Sequence, residues 1–129
     1  MIKIECNAEF GRMIIATKNI PRNTIIEVCE ILVLSKEDTV LVNKTDLQYY
    51  TFVYNQFQDC LVLGNGEIYN HSDDANVKYD LLLIDDRIKM VFTSVCNITA
   101  GDQCFTNYSQ DDLNIDASGY INNKSLIGG

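Results

Sequence analysis

Histidine and proline each occur once in this 129-residue chain, and acidic residues outnumber basic ones by eighteen to ten. One proline and seven glycines exclude a collagen-like repeat or a disordered linker. The cysteines, Cys6, Cys29, Cys60, Cys96 and Cys104, are odd in number, and no two stand in C-x-C or C-x-x-C spacing. A disulfide framework or a zinc site is thereby disfavoured, no metal is expected, and free thiols in a reducing compartment fit the pattern. No apolar run approaches the ~18 residues a membrane span needs. Residues 1–10 carry charge where a signal peptide would have an apolar stretch. The expectation is a soluble, intracellular protein with no membrane partner.

What is present is enough for one core. A chain of this length has room for a single domain, and a hydrophobic share of 47% supplies its interior without metals or disulfides. The net charge of −8 is the wrong sign for a general nucleic-acid binder, which replaces phosphate counterions with clustered Lys and Arg. It favours cationic partners such as a lysine-rich peptide; the plainer reading is that it keeps a small protein soluble.

Strand signals dominate. Residues 2–6 alternate apolar and polar, 13–17 form a short apolar run, and 25–34 are rich in Ile, Val and Leu after a turn at 21–24. Ser35 followed by Asp38 has the spacing of a helix-opening cap, which predicts one short helix through about Asn43. Residues 50–54 and 60–63 are further strand candidates. Asp85-Asp86 between apolar runs is the strongest hairpin signal in the chain. A turn at Ala100-Gly101 leads into a last strand through Tyr108, and 109–129 read as a polar tail. The expectation is a mostly β, single-domain protein of many short strands.

Chemistry concentrates around the only histidine, in Asn70-His71-Ser72-Asp73-Asp74-Ala75-Asn76. Taken alone, a histidine beside Asn and Ser is more often a structural hydrogen-bonding residue than a catalyst. A Ser-His-Asp hydrolase fits poorly, because Ser72 adjoins His71 and no G-x-S-x-G elbow occurs. A metal site has too few ligands.

Read with its neighbours, the segment changes meaning. Asn70-His71-Ser72 with Asn76 resembles the N-H-S-x-x-x-N motif of SET-domain methyltransferases. The segment opening at Gly11-Arg12-Met13 and closing at Ile20 resembles the family's G-x-G-x-x-A element. Tyr50-Thr51-Phe52 resembles its Y-x-F segment, and Ile98 to Tyr108 resembles its closing I-x-A-G-E-E-L-T-x-x-Y element. Four motifs stand in family order over about residues 3–108, and the compact length is most similar to minimal viral and bacterial SET proteins. The resemblance implies a SET domain of the β-clip type over 1–129: several small curved sheets with a C-terminal pseudoknot that brings the N-H-S and terminal tyrosine motifs together.

It also implies a reaction. The function would be protein lysine N-methylation, with S-adenosylmethionine as cofactor and S-adenosylhomocysteine as product. The amine must arrive neutral, which at pH 7 costs roughly 4–5 kcal/mol for a lysine of pKa ~10.4. A sulfonium and an apolar channel lower that pKa without a general base, leaving alignment and electrostatic support to the protein. By resemblance, Tyr108 is the catalytic tyrosine and also a cofactor neighbour, and Tyr50 is the second active-site tyrosine. Asn70 and His71 hold the cofactor, and Gly11, Arg12 and Met13 let the main chain approach it. Tyr54 is either a cofactor-side aromatic or plain core, and Tyr69 stays open in the same way.

Several positions depart from the family pattern. Met13 stands where a second glycine is usual, Asp73 and Ala75 replace Cys and Pro, and Asn107 replaces Asp. No cysteine-rich segment follows Tyr108, so the tail or a second subunit would have to close the lysine channel, and a homodimer is expected on that ground. The alternative function is a catalytically inactive SET-like module that binds a basic peptide. A third reading, an acidic interaction protein, rests on charge alone. The expected substrate is a basic, histone-like or other protein tail, and the expected compartment is the cytoplasm, or the host nucleus for a viral source.

Overall fold

A computed structural model of the chain describes residues 1–9 and 11–109. Of the polar tail expected over 109–129, only Ser109 falls among them, so that expectation otherwise lies outside the described residues.

The strands are β1 (Ile2–Asn7), β2 (Gly11–Ala16), β3 (Ile25–Cys29) and β4 (Ile31–Val33), followed by the helix α1 (Lys36–Val42) and a 3-10 helix, Asp46–Tyr50. After these come β5 (Phe52–Val53), β6 (Asp59–Val62), β7 (Asn70–His71), β8 (Val77–Ile84), β9 (Arg87–Ser94) and β10 (Gln103–Thr106). They form three small sheets, ordered β1-β2-β10-β7, β3-β9-β8 and β4-β6-β5. The mostly β expectation holds. Among the described residues no helix is long and apolar enough to cross a membrane.

Two details differ from the sequence reading. The apolar stretch 25–34 is two strands, because the chain changes sheets at Glu30: β3 joins β9, whereas β4 pairs with β6 from Ile31↔Val62 to Val33↔Cys60. The stretch 50–54 is not one strand either. Thr45 caps the 3-10 helix by accepting the Leu47 N–H on its hydroxyl at 3.2 Å, which carries the helix through Tyr50 and leaves only Phe52–Val53 extended. Local side-chain capping overrides the β preference of the aromatics there.

By internal packing the chain divides into two compact units. The first comprises Met1–Val28, Ile68–Asp80 and Val91–Tyr108. Its interior is Ile14, Ile20, Tyr69, Val77, Tyr79, Phe92, Ile98 and Cys104, each no more than 2% exposed. Ile20 and Ile98 exchange both backbone hydrogen bonds at 2.8 Å, which ties the segment after β2 to the approach to β10. All of Ile14, Ile15 and Ala16 are buried, so this end of β2, which lies between β1 and β10, is covered on both faces.

The second comprises Cys29–Glu67 and Leu81–Met90 among the described residues. Here Ser35 opens α1 as its spacing predicts, accepting the Asp38 N–H at 3.0 Å, with Glu37 and Asp38 favourably placed in the first turn. Asp59 ties the helix to β6. Its carboxylate accepts from Asn43 Nδ2 at 3.0 Å and Thr51 Oγ1 at 3.1 Å, and its N–H donates to the buried Thr39 hydroxyl at 3.0 Å. The β8–β9 turn places Asp85 and Asp86 at φ of 51° and 67°, the left-handed pair of a two-residue hairpin.

Candidate active site

The site grows from the position of β10. This late strand pairs antiparallel with β2 (Gln103↔Ile15, Cys104↔Ile14) and parallel with β7 (Phe105↔Asn70, Thr106↔His71). It thereby sets the N-H-S segment beside the closing segment, and Ser72 N–H extends the pairing by donating to Thr106 O at 3.0 Å. Asn76, the last residue of the N-H-S-x-x-x-N pattern, pairs with β10 as a strand would. Its Nδ2 donates to Gln103 O at 2.9 Å and its Oδ1 accepts Phe105 N–H at 2.8 Å. A side-chain amide with one donor and one acceptor side by side is what that pairing requires.

Tyr108 leaves the end of β10 held at three points. Its N–H donates to His71 Nδ1 at 2.9 Å, its ring lies 5.0 Å from the imidazole at 53°, and its hydroxyl donates to the Tyr69 carbonyl at 2.7 Å. A backbone amide can only donate, so Nδ1 is the unprotonated nitrogen and Nε2 carries the proton. Nε2 donates to Asp73 Oδ1 at 2.9 Å. The imidazole is therefore a neutral bracket between the turn after β7 and the Tyr108 backbone. Despite these contacts Tyr108 is 55% exposed. Its orientation is fixed while its face stays open.

Asn70 works inward. Its Nδ2 donates to Arg12 O at 2.9 Å and to Gln103 Oε1 at 2.8 Å, so both amide hydrogens are engaged in joining β7 to β2 and β10. Gly11 and Arg12 are exposed at the start of β2. Gly11 has φ +68°, and among the described residues, its chain neighbours aside, no atom lies within 4 Å of where a Cβ would sit. The Met13 side chain, where the pattern has glycine, is half-buried, with its sulfur 3.4 Å from Asn7 Nδ2.

Seven of the expected positions, counting Gly11, Arg12, Met13, Asn70, His71, Tyr108 and the motif residue Asn76, thus belong to the first unit. Tyr50, at the end of the 3-10 helix and 38% exposed, and half-buried Tyr54, whose N–H donates to Gln58 O at 3.0 Å, belong to the second. Cys104 sits within β10. Burial, with the Asp102 carboxylate adding, pushes its thiol up to about 11, so it stays protonated and is a packing residue.

Sequence reasoning left Tyr69 open and gave Glu27 no role. Tyr69 is 2% exposed and stacks on Phe92, with centroids 4.7 Å apart and planes 9° apart. Its hydroxyl donates to Glu27 Oε1 at 2.7 Å. The available signal was an acid, Glu27, within the apolar run of β3, since an acid in such a run demands a partner.

The SET domain family model matches residues 11–109, most of the chain. The chain belongs to the SET-domain family. A histone-lysine N-methyltransferase of Schizosaccharomyces pombe, specific for histone H3 lysine-37, is 37% identical over 68 residues, 52% of this chain and 46% of that protein. The chain thus spans about half the length of this relative. Among solved structures, a candidate histone methyltransferase of Plasmodium falciparum superposes with a TM-score of 0.67 at 25% identity, over 83% of this chain and 91% of that one. The Polycomb Repressive Complex 2 of Chaetomium thermophilum, in an autoinhibited state bound to S-adenosylmethionine, gives 0.68 at 18% identity, over 85% of this chain and 15% of that one. That last likeness is one of fold.

Proposed function

We propose that this chain is a protein lysine N-methyltransferase that uses S-adenosylmethionine and acts on a basic protein substrate. The observation that carries the reading is Tyr108: an exposed phenol whose backbone, ring and hydroxyl are each held by the N-H-S segment or the residue before it.

The residues present fit the cofactor. It carries a carboxylate, an ammonium and an adenine, and it needs main chain at close range. Gly11 offers open backbone, and the exposed Arg12 guanidinium, without a partner among the described residues, suits the carboxylate. Asn70 contributes through its backbone, since its amide hydrogens are engaged elsewhere. When bound, the cofactor supplies an electrophilic methyl on a sulfonium. The Tyr108 hydroxyl donates to Tyr69 O, which fixes where its oxygen stands relative to an incoming amine N–H or a polarised C–H. That orients a neutral lysine nitrogen for in-line attack. Tyr50 is assigned to the lysine channel and Tyr54 to the cofactor side.

Residues 1–129 are taken as one SET domain with its core at 3–108. A homodimer and a cytoplasmic or nuclear location belong to the same proposal, and nucleic acid is not among its partners. The Schizosaccharomyces pombe relative and the acidic balance of the chain support a histone-like tail as substrate.

The test is calorimetric titration with S-adenosylmethionine on wild type and Tyr108→Phe, followed by methyl transfer to a panel of basic peptides. The expected result is micromolar binding by both proteins and a loss of about 100-fold or more in kcat for the variant. Absence of binding by folded wild-type protein would overturn the enzyme reading in favour of a peptide-binding module.

A further inference from the structure

The Tyr108 hydroxyl is aimed by a carbonyl, and the residue carrying that carbonyl is clamped more firmly than a core position requires. Tyr69 O accepts from Tyr108 at 2.7 Å. The Tyr69 ring lies flat against Phe92, which also meets Tyr79 at 6.1 Å and 49°. Its own hydroxyl ends on Glu27 Oε1 at 2.7 Å. Ring and carbonyl share one Cα. Fixing the ring by stacking at its face and by a hydrogen-bond acceptor at its tip therefore restricts rotation of the peptide plane that holds the Tyr108 hydroxyl. All five residues lie in the first unit, although Glu27 and Tyr69 are 42 positions apart in sequence. Simple core filling would be served by phenylalanine at 69, with no acid needed at 27; a buried phenol and a half-buried carboxylate are retained together only if each satisfies the other.

We propose that Glu27 and Tyr69 are positioning residues for Tyr108: the Glu27–Tyr69 hydrogen bond sets the Tyr69 carbonyl and, through it, the direction of the Tyr108 hydroxyl. This deepens the methyltransferase reading and rests on it for its kinetic consequence. Neither side chain touches substrate, so the effect appears in the rate of transfer and not in cofactor affinity.

The test uses the full chain with three single variants and one double. Tyr69→Phe keeps the ring stack and removes the hydroxyl, Glu27→Ala removes the acceptor, and Glu27→Gln keeps an acceptor oxygen. Tyr69→Phe and Glu27→Ala should each lower kcat about tenfold, with KM for peptide and calorimetric Kd for S-adenosylmethionine within about twofold of wild type. Glu27→Gln should recover most of the rate. The Tyr69→Phe/Glu27→Ala double variant should be no slower than either single, because both remove one bond. In protein carrying ring-labelled tyrosine, the Tyr108 resonance should move in Tyr69→Phe and Glu27→Ala and return towards its wild-type position in Glu27→Gln.

Full kcat in the two disrupting variants, multiplicative losses in the double, or an unmoved Tyr108 resonance would overturn the coupling. A wild-type protein that fails to bind S-adenosylmethionine removes the enzyme reading instead. The resonance then still decides whether Glu27 governs Tyr108, since it needs no turnover.

Discussion

Glu67 is half-buried and its Oε1 accepts the Val62 N–H at 2.9 Å. Desolvation by burial raises its pKa, partly offset by that hydrogen bond. A raised folded value means that the native state holds the proton more tightly than the unfolded chain does. The resulting stability is complete below the unfolded value and is lost as pH rises through the folded one. Glu67→Gln keeps an oxygen for Val62 and removes the charge, so its melting temperature should exceed that of wild type at pH 7. The two should converge below about pH 4; a variant that melts lower at pH 7 would show the carboxylate to be stabilising. At this scale the sequence was legible where a motif names the residue. His71, Asn70 and Tyr108 were readable because four spaced patterns coincide. Tyr69 was not, because one tyrosine among seven carries no mark until Glu27 and Phe92 are known to lie against it.

The β8–β9 hairpin is the element most plainly written in the sequence, and Asp85-Asp86 turns where expected. Both residues sit at positive φ, where a Cβ is strained and glycine is favoured at the second position. Asp86→Gly should stabilise the protein by about 0.5 kcal/mol, and Asp86→Val should destabilise it by more than about 1 kcal/mol, read as urea midpoints at constant slope. Equal midpoints for the two variants would count against the turn. The Ser35 cap was equally legible, since it is a local hydrogen bond between residues three apart. The break at Glu30 was not: it depends on β3 and β4 finding different partners, and no local propensity encodes that. The 3-10 helix was missed for the opposite reason, a strong aromatic β signal overruled by the small Thr45 cap.

For the molecule as a whole, the many short strands follow from turn signals and alternation, whereas the family resemblance implied only that the N-H-S and terminal tyrosine motifs meet, and not the order β1-β2-β10-β7. Pairings such as Cys104 with Ile14, so far apart in sequence, leave no trace in a hydropathy pattern. The charge does, and it has a measurable consequence. A protein of net charge −8 drawing in a lysine-rich peptide gains much of its encounter rate from long-range attraction. Raising ionic strength from about 0.05 to 0.5 M shortens the screening length severalfold. KM for a basic peptide should then rise about three- to tenfold while Kd for S-adenosylmethionine changes little. A KM indifferent to salt would point to a substrate chosen by shape and not by charge.

The placement of β10 between β2 and β7 also governs when the proposed site can assemble. Its partners lie near the start and the middle of the described chain, so its docking closes the longest loops in the fold and has to wait for them. The β1–β2 and β8–β9 hairpins can form from neighbouring residues alone; the N-H-S segment acquires its partner and Tyr108 its brackets only when β10 is seated. During synthesis, the two hairpins are therefore expected to form before the N-H-S segment and Tyr108 meet, and the proposed site is complete only once β10 is seated.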